Sequence, residues 1–298
     1  MLIASVSVLA TAAPKADFTR KRIKSLMNTQ APGRFRPGVF VCLLVALGLH
    51  TSGVRAEAGI CAPRGKLESA VLEKVVDGDT LRLRDGRLVR LIGLNTPELG
   101  RDGAADQPLA DTARRMAADW LGGNTILLHS GVESKDRYGR HLAAVFRSAD
   151  KGSLSEYLLR QGLGWQVTVP PNTRYSECLQ SAEAVARAAQ RGVWAERRYP
   201  VLSAAALTAA DAGFERVRGR VSAVADSRRA LWIELDGGLS LRLAHDDLPN
   251  FAGRDVRKWL GKVLTVRGWL IYRGRQQKGY PPHMMHLQHP AMLDAIEE

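Results

Sequence analysis

Ala70-Val71-Leu72-Glu73-Lys74-Val75-Val76-Asp77-Gly78-Asp79-Thr80-Leu81-Arg82-Leu83-Arg84-Asp85-Gly86-Arg87-Leu88-Val89-Arg90-Leu91-Ile92 reads as three strands separated by two reversals. Each reversal carries an Asp-Gly pair, and Leu81-Arg82-Leu83 alternates apolar and polar side chains as a half-buried strand does. Outward from this meander, residues 105–121 place Leu109, Ala113, Met116, Ala117 and Trp120 at helical spacing before Gly122-Gly123 stops them. Ile126-Leu127-Leu128 and Leu142-Ala143-Ala144-Val145-Phe146 read as further strands. Helices are expected over about 153–161 and 174–190, the second closing at Gly192. Short strands interleaved with helices predict a small barrel with helices on its flank.

Residues 199–212 are Ala-rich and read as a linker. A second strand series follows: Arg216 to Val224, Ala230 to Leu235, Leu239 to Leu243 and Val263 to Ile271, with a hairpin turn at Asp236-Gly237-Gly238 and a short helix near 250–260. The expected fold class is β-rich α+β, an OB-like five-stranded barrel with flanking helices followed by a second small OB-like barrel. The expected organisation is an N-terminal extension with a signal peptide over 1–58, a first domain over 59–198, the linker, and an accessory domain over 213–298.

The 298 residues carry a formal charge of +13, but residues 1–56 hold 8 basic residues against 1 acidic, so more than half of the excess sits at the N-terminus. There Arg34 and Arg36 precede the apolar run 38–48, and small residues follow to Ala56 and Ala58, the arrangement of an export signal whose apolar run is short for a membrane span. Translation starts at Met1 or at Met27, the latter closer to the run. An exported chain meets an oxidising compartment, where Cys61 and Cys178 would be either one disulfide or two separate thiols. Three Cys exclude a disulfide-dense scaffold, and neither a P-loop nor a G-x-G-x-x-G is present.

Three islands carry chemistry: Asp77-Gly78-Asp79-Thr80, Arg90-Leu91-Ile92-Gly93-Leu94-Asn95-Thr96-Pro97-Glu98, and Asp136-Arg137-Tyr138-Gly139-Arg140. Asp79 and Asn95 are hard oxygen donors at the ends of strands that the hairpin sets side by side, suited to a cation such as Ca²⁺. Glu98 follows a proline on a rigid turn. Arg90 and Arg140 are forked cations matched to phosphate oxygens. Together they are the inventory of metal-assisted phosphodiester hydrolysis.

At these islands the sequence resembles the staphylococcal nuclease (thermonuclease) family from about Ser69 to Trp194, including Gln161-Gly162-Leu163 and Pro171-Asn172-Thr173. The resemblance implies a five-stranded OB-like barrel with three helices. It implies Asp79 and Asn95 as Ca²⁺ ligands, with Thr96 giving a backbone carbonyl and Asp77 standing behind them. It also implies Glu98 as general base, Arg90 and Arg140 on the scissile phosphate, DNA or RNA as substrate, and 3′-phosphate products. Two departures are visible. Asn95 stands where the family's best-studied members have Asp, which weakens Ca²⁺ binding or admits another divalent ion. Val167-Thr168-Val169 stands where they have base-stacking tyrosines, leaving Trp165 as the candidate aromatic.

The favoured reading is an exported, periplasmic or secreted Ca²⁺-dependent endonuclease, a monomer without a membrane span after signal removal. One alternative is a catalytically weak nucleic-acid-binding protein of the same fold, and another is a surface protein using both barrels for protein contacts. His283-x-x-His286-x-x-His289 would disperse over both faces of a strand rather than hold a metal. Trp232, Trp259, Trp269 and Tyr272 among many Arg read as core or as a nucleic-acid surface.

Overall fold

The computed structural model describes residues 61–100, 102–195, 197–274 and 280–298; the expected signal segment lies outside the described residues. The first barrel is built from β1 (Glu68–Asp77), β2 (Thr80–Leu83), β3 (Leu88–Leu91), the short β4 (Leu94–Asn95), α1 (Ala110–Leu121), β5 (Thr125–Lys135), β6 (His141–Arg147), α2 (Leu154–Arg160), the short β7 (Trp165–Gln166) and α3 (Ser176–Ala188). Five strands close in the order β1-β2-β3-β6-β5, with β3 and β6 parallel. Closure depends on β1. Its first residues pair with β5, and its later ones pair with β2 through two register shifts. Such bulges bend a strand enough to serve two neighbours.

Leu81, Leu83, Val89, Ile126 and Phe146 are fully buried inside the barrel. Phe146→Ala at its centre would cost about 3–5 kcal/mol. Ala113, Ala117 and Leu121 recur every four residues on α1 and lay its apolar stripe against β1. Ser153 caps α2 by accepting from the Glu156 backbone N–H. The Glu156 carboxylate accepts from the Cys61 N–H, near where Cys61 Sγ joins Cys178 Sγ of α3 at a Cα separation of 5.4 Å.

The second barrel follows β8 (Leu202–Ser203) and comprises β9 (Gly213–Asp226), β10 (Ala230–Leu235), β11 (Leu239–Ala244), β12 (Val263–Tyr272) and β13 (His283–His286), with β14 (Leu293–Glu297) added beside β12. The strands follow β9-β10-β11-β13-β12, and β12 closes on β9. β11 and β13 are parallel. This is the winding of the first barrel repeated: first, second, third, fifth, fourth, with third and fifth parallel. The long first strand is again shared between two neighbours, here β12 and β10. β10 and β11 reverse through the three residues Asp236-Gly237-Gly238, with Asp236 and Gly237 at positive φ and Gly238 N–H bonded to the Leu235 carbonyl.

Two sequence expectations change. The helix expected near 250–260 is two short 3-10 turns, His245–Phe251 and Val256–Trp259, the first containing Pro249. Residues 199–212, read as a linker, contain β8, which pairs with β9, and two further 3-10 turns. The histidine stretch, by contrast, disperses as expected: it contains β13, with His283 buried and bonded to the Thr208 carbonyl and His286 on the opposite face. Among the described residues no helix is long and apolar enough to cross a membrane.

The two barrels share one compact unit, and a buried ion cluster joins them. Arg267 of β12 donates two 2.8 Å hydrogen bonds to the Glu183 carboxylate of α3. Asp294 pairs with Arg216 at 2.8 Å. Trp165 packs between Tyr199, edge-on at a centroid distance of 4.8 Å, and the tilted ring of Phe214 at 5.3 Å. Burial pushes the Glu183 carboxyl up, and it opposes the charge on Arg267 as well. Glu183 and Asp294 outweigh that opposition at Arg267, and the two-pronged geometry is that of a charged pair.

Candidate active site

The turn from β1 to β2 places two carboxylates. Asp79 N–H donates to Asp77 Oδ1 at 3.1 Å, folding Asp77-Gly78-Asp79 on itself. A Cβ on Gly78 would lie 2.7–2.8 Å from the Thr96 side chain and Ala113 Cβ, so only glycine admits so close an approach of Thr96 and α1. Asp79 Oδ1 accepts from Thr80 Oγ1 at 3.2 Å, and Oδ2 accepts from Thr96 N–H at 2.8 Å.

Arg90 enters from β3, opposite Thr80 in the register. Its Nη2 lies 2.9 Å from Asp79 Oδ2 and donates to Asn95 Oδ1, also at 2.9 Å. Its Nη1 donates to the carbonyls of Leu94 at 2.7 Å and Leu91 at 3.2 Å. Asp77, Asp79, Arg90, Asn95 and Thr96 are all buried. Burial is the largest influence on Asp77 and the Asp79 charge the next. With a lesser push from Glu98, they carry the Asp77 carboxyl up to about 7.

Glu98 is exposed, beyond the buried Pro97. Its backbone is pinned twice: its N–H donates to Gln107 Oε1 at 2.8 Å, and its carbonyl accepts from Gln107 N–H at 3.0 Å. Gln107 is a positioning residue that the islands did not reveal, since it lies nine positions on in an irregular segment.

Arg140 closes the β5–β6 hairpin. Asp136 Oδ1 accepts from the N–H groups of Tyr138 and Arg140, and Oδ2 accepts from Arg140 Nε at 2.7 Å. Burial works against the Asp136 charge, but these bonds and the Arg140 charge outweigh it and hold the carboxyl below its usual range. Arg140 borders an open concavity of about 420 Å³, lined by 85–88 and 138–141. The β3–β6 register pairs Val89 with His141. Arg140 therefore starts level with Leu88, two residues from Arg90, or about 7 Å along the strand. The structure thus brings Asp77, Asp79, Arg90, Asn95 and Thr96 into one bonded cluster with Glu98 in electrostatic reach. It sets Arg140 in the turn just ahead of β6, ion-paired with Asp136.

Trp165 does not serve as the base-stacking aromatic. It is 3% exposed and sealed between Tyr199 and Phe214, so it offers no ring to a substrate base. The exposed aromatic beside the site is Tyr138, at 69%, with the guanidinium groups of Arg137 and Arg140 4.8 and 5.5 Å from its ring centroid.

Asp77, Asp79, the Asn95 amide oxygen and the Thr96 carbonyl are hard oxygen donors, the set a divalent cation such as Ca²⁺ takes. Two carboxylates crowded in a buried turn, one of them driven toward protonation, fit a place that a cation would relieve. Among the described residues no three His, Cys, Asp or Glu side chains form a metal cage.

A family model described as staphylococcal nuclease homologue matches residues 88–196, which hold Arg90, Asn95, Thr96, Glu98 and Arg140 and leave Asp77 and Asp79 outside. The thermonuclease of Staphylococcus intermedius is 32% identical over 130 residues, which is 43% of this chain and 76% of that protein. The thermonuclease of Staphylococcus hyicus is 32% identical over 124 residues, covering 41% and 72%.

Proposed function

Because the chain belongs to the staphylococcal nuclease family, we propose that it hydrolyses phosphodiester bonds of DNA or RNA at the Asp79–Arg90–Glu98–Arg140 site. The bonded cluster of Asp79, Arg90, Asn95 and Thr96, with Glu98 beside it, is the observation that carries this reading. Arg90 and Arg140 bind the non-bridging oxygens of the scissile phosphate and offset the charge that builds as it becomes five-coordinate. Glu98 orients a water and accepts its proton as the water oxygen bonds to phosphorus. The bond from phosphorus to the 5′ oxygen breaks, that oxygen takes a proton from solvent, and the other product keeps a 3′ phosphate. Asp79, Asn95 and the Thr96 carbonyl would hold Ca²⁺, with Asp77 behind them. The ion, when bound, supplies positive charge at the reacting phosphate.

The chain acts as an exported monomer in the periplasm or outside the cell. The apolar run 38–48 and the Cys61–Cys178 bond support that location. The amide at Asn95 favours a second reading, a nucleic-acid binder with little turnover. Digestion of single-stranded DNA with added Ca²⁺ and with chelator tests both. Cleavage that chelator abolishes supports the enzyme, binding without cleavage selects the binder, and cleavage indifferent to chelator contradicts the metal-assisted mechanism.

A further inference from the structure

The second barrel presents an outward row of one aromatic and several basic side chains that the nuclease site does not use. On β10, Leu231, Ile233 and Leu235 point inward, and Trp232 points out. Trp232 is paired with Arg242 on β11, and Arg242 is paired with His286 on β13. All three are part-exposed. The Arg273 guanidinium lies 5.7 Å from the Trp232 ring centroid, within cation–π range. Trp232 Nε1 donates to Ser227 Oγ at 3.2 Å, which ties the ring to the turn that carries exposed Arg228 and Arg229.

From this row we propose that the second barrel binds single-stranded nucleic acid across β10, β11 and β13, with a base stacked on Trp232 and phosphates on Arg242 and Arg273. Neighbouring strands lie about 4.8 Å apart, so a stacking face and a phosphate ligand fall within the span of one nucleotide. Base stacking on an aromatic needs no sequence match, but it does need an unpaired base, which selects single strands. His286, held below its usual range by burial and by Arg242, is neutral at pH 7 and offers a hydrogen bond rather than charge. Glu234 stands one rung away opposite Ser240, and Asp247 lies near Arg242. The basic row is therefore narrow, a track for one chain rather than a broad anionic patch. The barrel interface uses Phe214, Arg216 and Arg267 on β9 and β12 and leaves this row free of it. The choice of ligand rests on the nuclease reading, since a polymer held here would be retained between cuts.

The test is fluorescence anisotropy of a labelled single-stranded oligothymidylate with the full chain carrying Glu98→Gln, in chelator. Trp232→Ala is expected to weaken binding about tenfold, the scale of one stacked base. Arg242→Gln should lower the slope of log affinity against log salt by about 0.7. In the chain with Glu98 intact, neither change should alter hydrolysis of a small diester such as bis-p-nitrophenyl phosphate. Trp232→Phe should restore binding. Unchanged affinity and slope in both variants would overturn the proposal. So would binding that a sulfated polysaccharide abolishes but Trp232→Ala leaves intact, which marks a simple anion site. Diester hydrolysis absent from the unaltered chain, with Trp232-dependent binding present, would instead contradict the nuclease reading and leave this one standing.

Discussion

Arg90 directs Nη1 at two backbone carbonyls and Nη2 at Asp79 and Asn95, which fixes the guanidinium beside the Asp79 carboxylate and leaves Nε outside these bonds. Asn95 accepts one of those bonds with a neutral oxygen. Asn95→Asp restores a carboxylate and should lower the Ca²⁺ concentration that gives half-maximal cleavage, because affinity in oxygen cages follows ligand charge. A titration of rate against Ca²⁺ checks this, and an unchanged midpoint would remove Asn95 from the ligand set. The grouping of Asp79, Arg90 and Asn95 was legible because the hairpin register sets the first two islands side by side. The Arg90–Asp79 pair and the Gln107 brace were not, since nothing in a strand pattern says where a guanidinium turns. Glu215 gives a pH effect at the same scale. Burial first, and then the Asp211 charge, push its carboxyl from 4.5 up to about 7. The folded chain therefore prefers it protonated, and stability present below about pH 4.5 is lost as pH rises through about 7. Glu215→Gln mimics the protonated form and should raise the Tm at alkaline pH while leaving it unchanged in acid. The reverse pattern in a thermal melt would show that Glu215 is stabilised as an anion.

At the level of elements, the long strands were readable from alternation and from Asp-Gly turns, and α1 from helical spacing. The two-residue strands β4 and β7 were not, because so short a pairing leaves no period to read. Yet β4 holds Asn95, and β7 backs it: Asn95 pairs with Trp165. The next β7 residue, Gln166, donates its N–H to Glu183 Oε1 at 2.6 Å. Glu183 in turn is held by Arg267 of the second barrel. Arg267→Ala leaves the buried Glu183 carboxylate without its cation and should cost about 3–5 kcal/mol in urea unfolding. Adding Glu183→Gln to that variant should recover part of the loss. A loss that the second change does not relieve would assign the cost to packing around Trp194, over which the Arg267 guanidinium lies at 5.6 Å.

On the scale of the molecule, two barrels of the same winding share a chain, and both were foreseeable from their strand series. Their joint was not, because Glu183 and Arg267 are 84 positions apart and each reads as a surface charge. The Cys61–Cys178 bond spans 117 residues of the first barrel. Its removal by the paired change Cys61→Ser and Cys178→Ser should cost about 2–4 kcal/mol by freeing the unfolded chain, read as a lower urea midpoint; an unchanged midpoint would show that the bond adds nothing. The central claim is that the first-barrel cluster cuts phosphodiesters with Glu98 as base. Its most direct test is the rate of single-stranded DNA cleavage by Glu98→Gln at saturating Ca²⁺, beside a circular dichroism spectrum matching the unaltered chain. General-base loss predicts a fall of about 10²–10⁴-fold; cleavage at the unaltered rate with the fold intact would contradict the account.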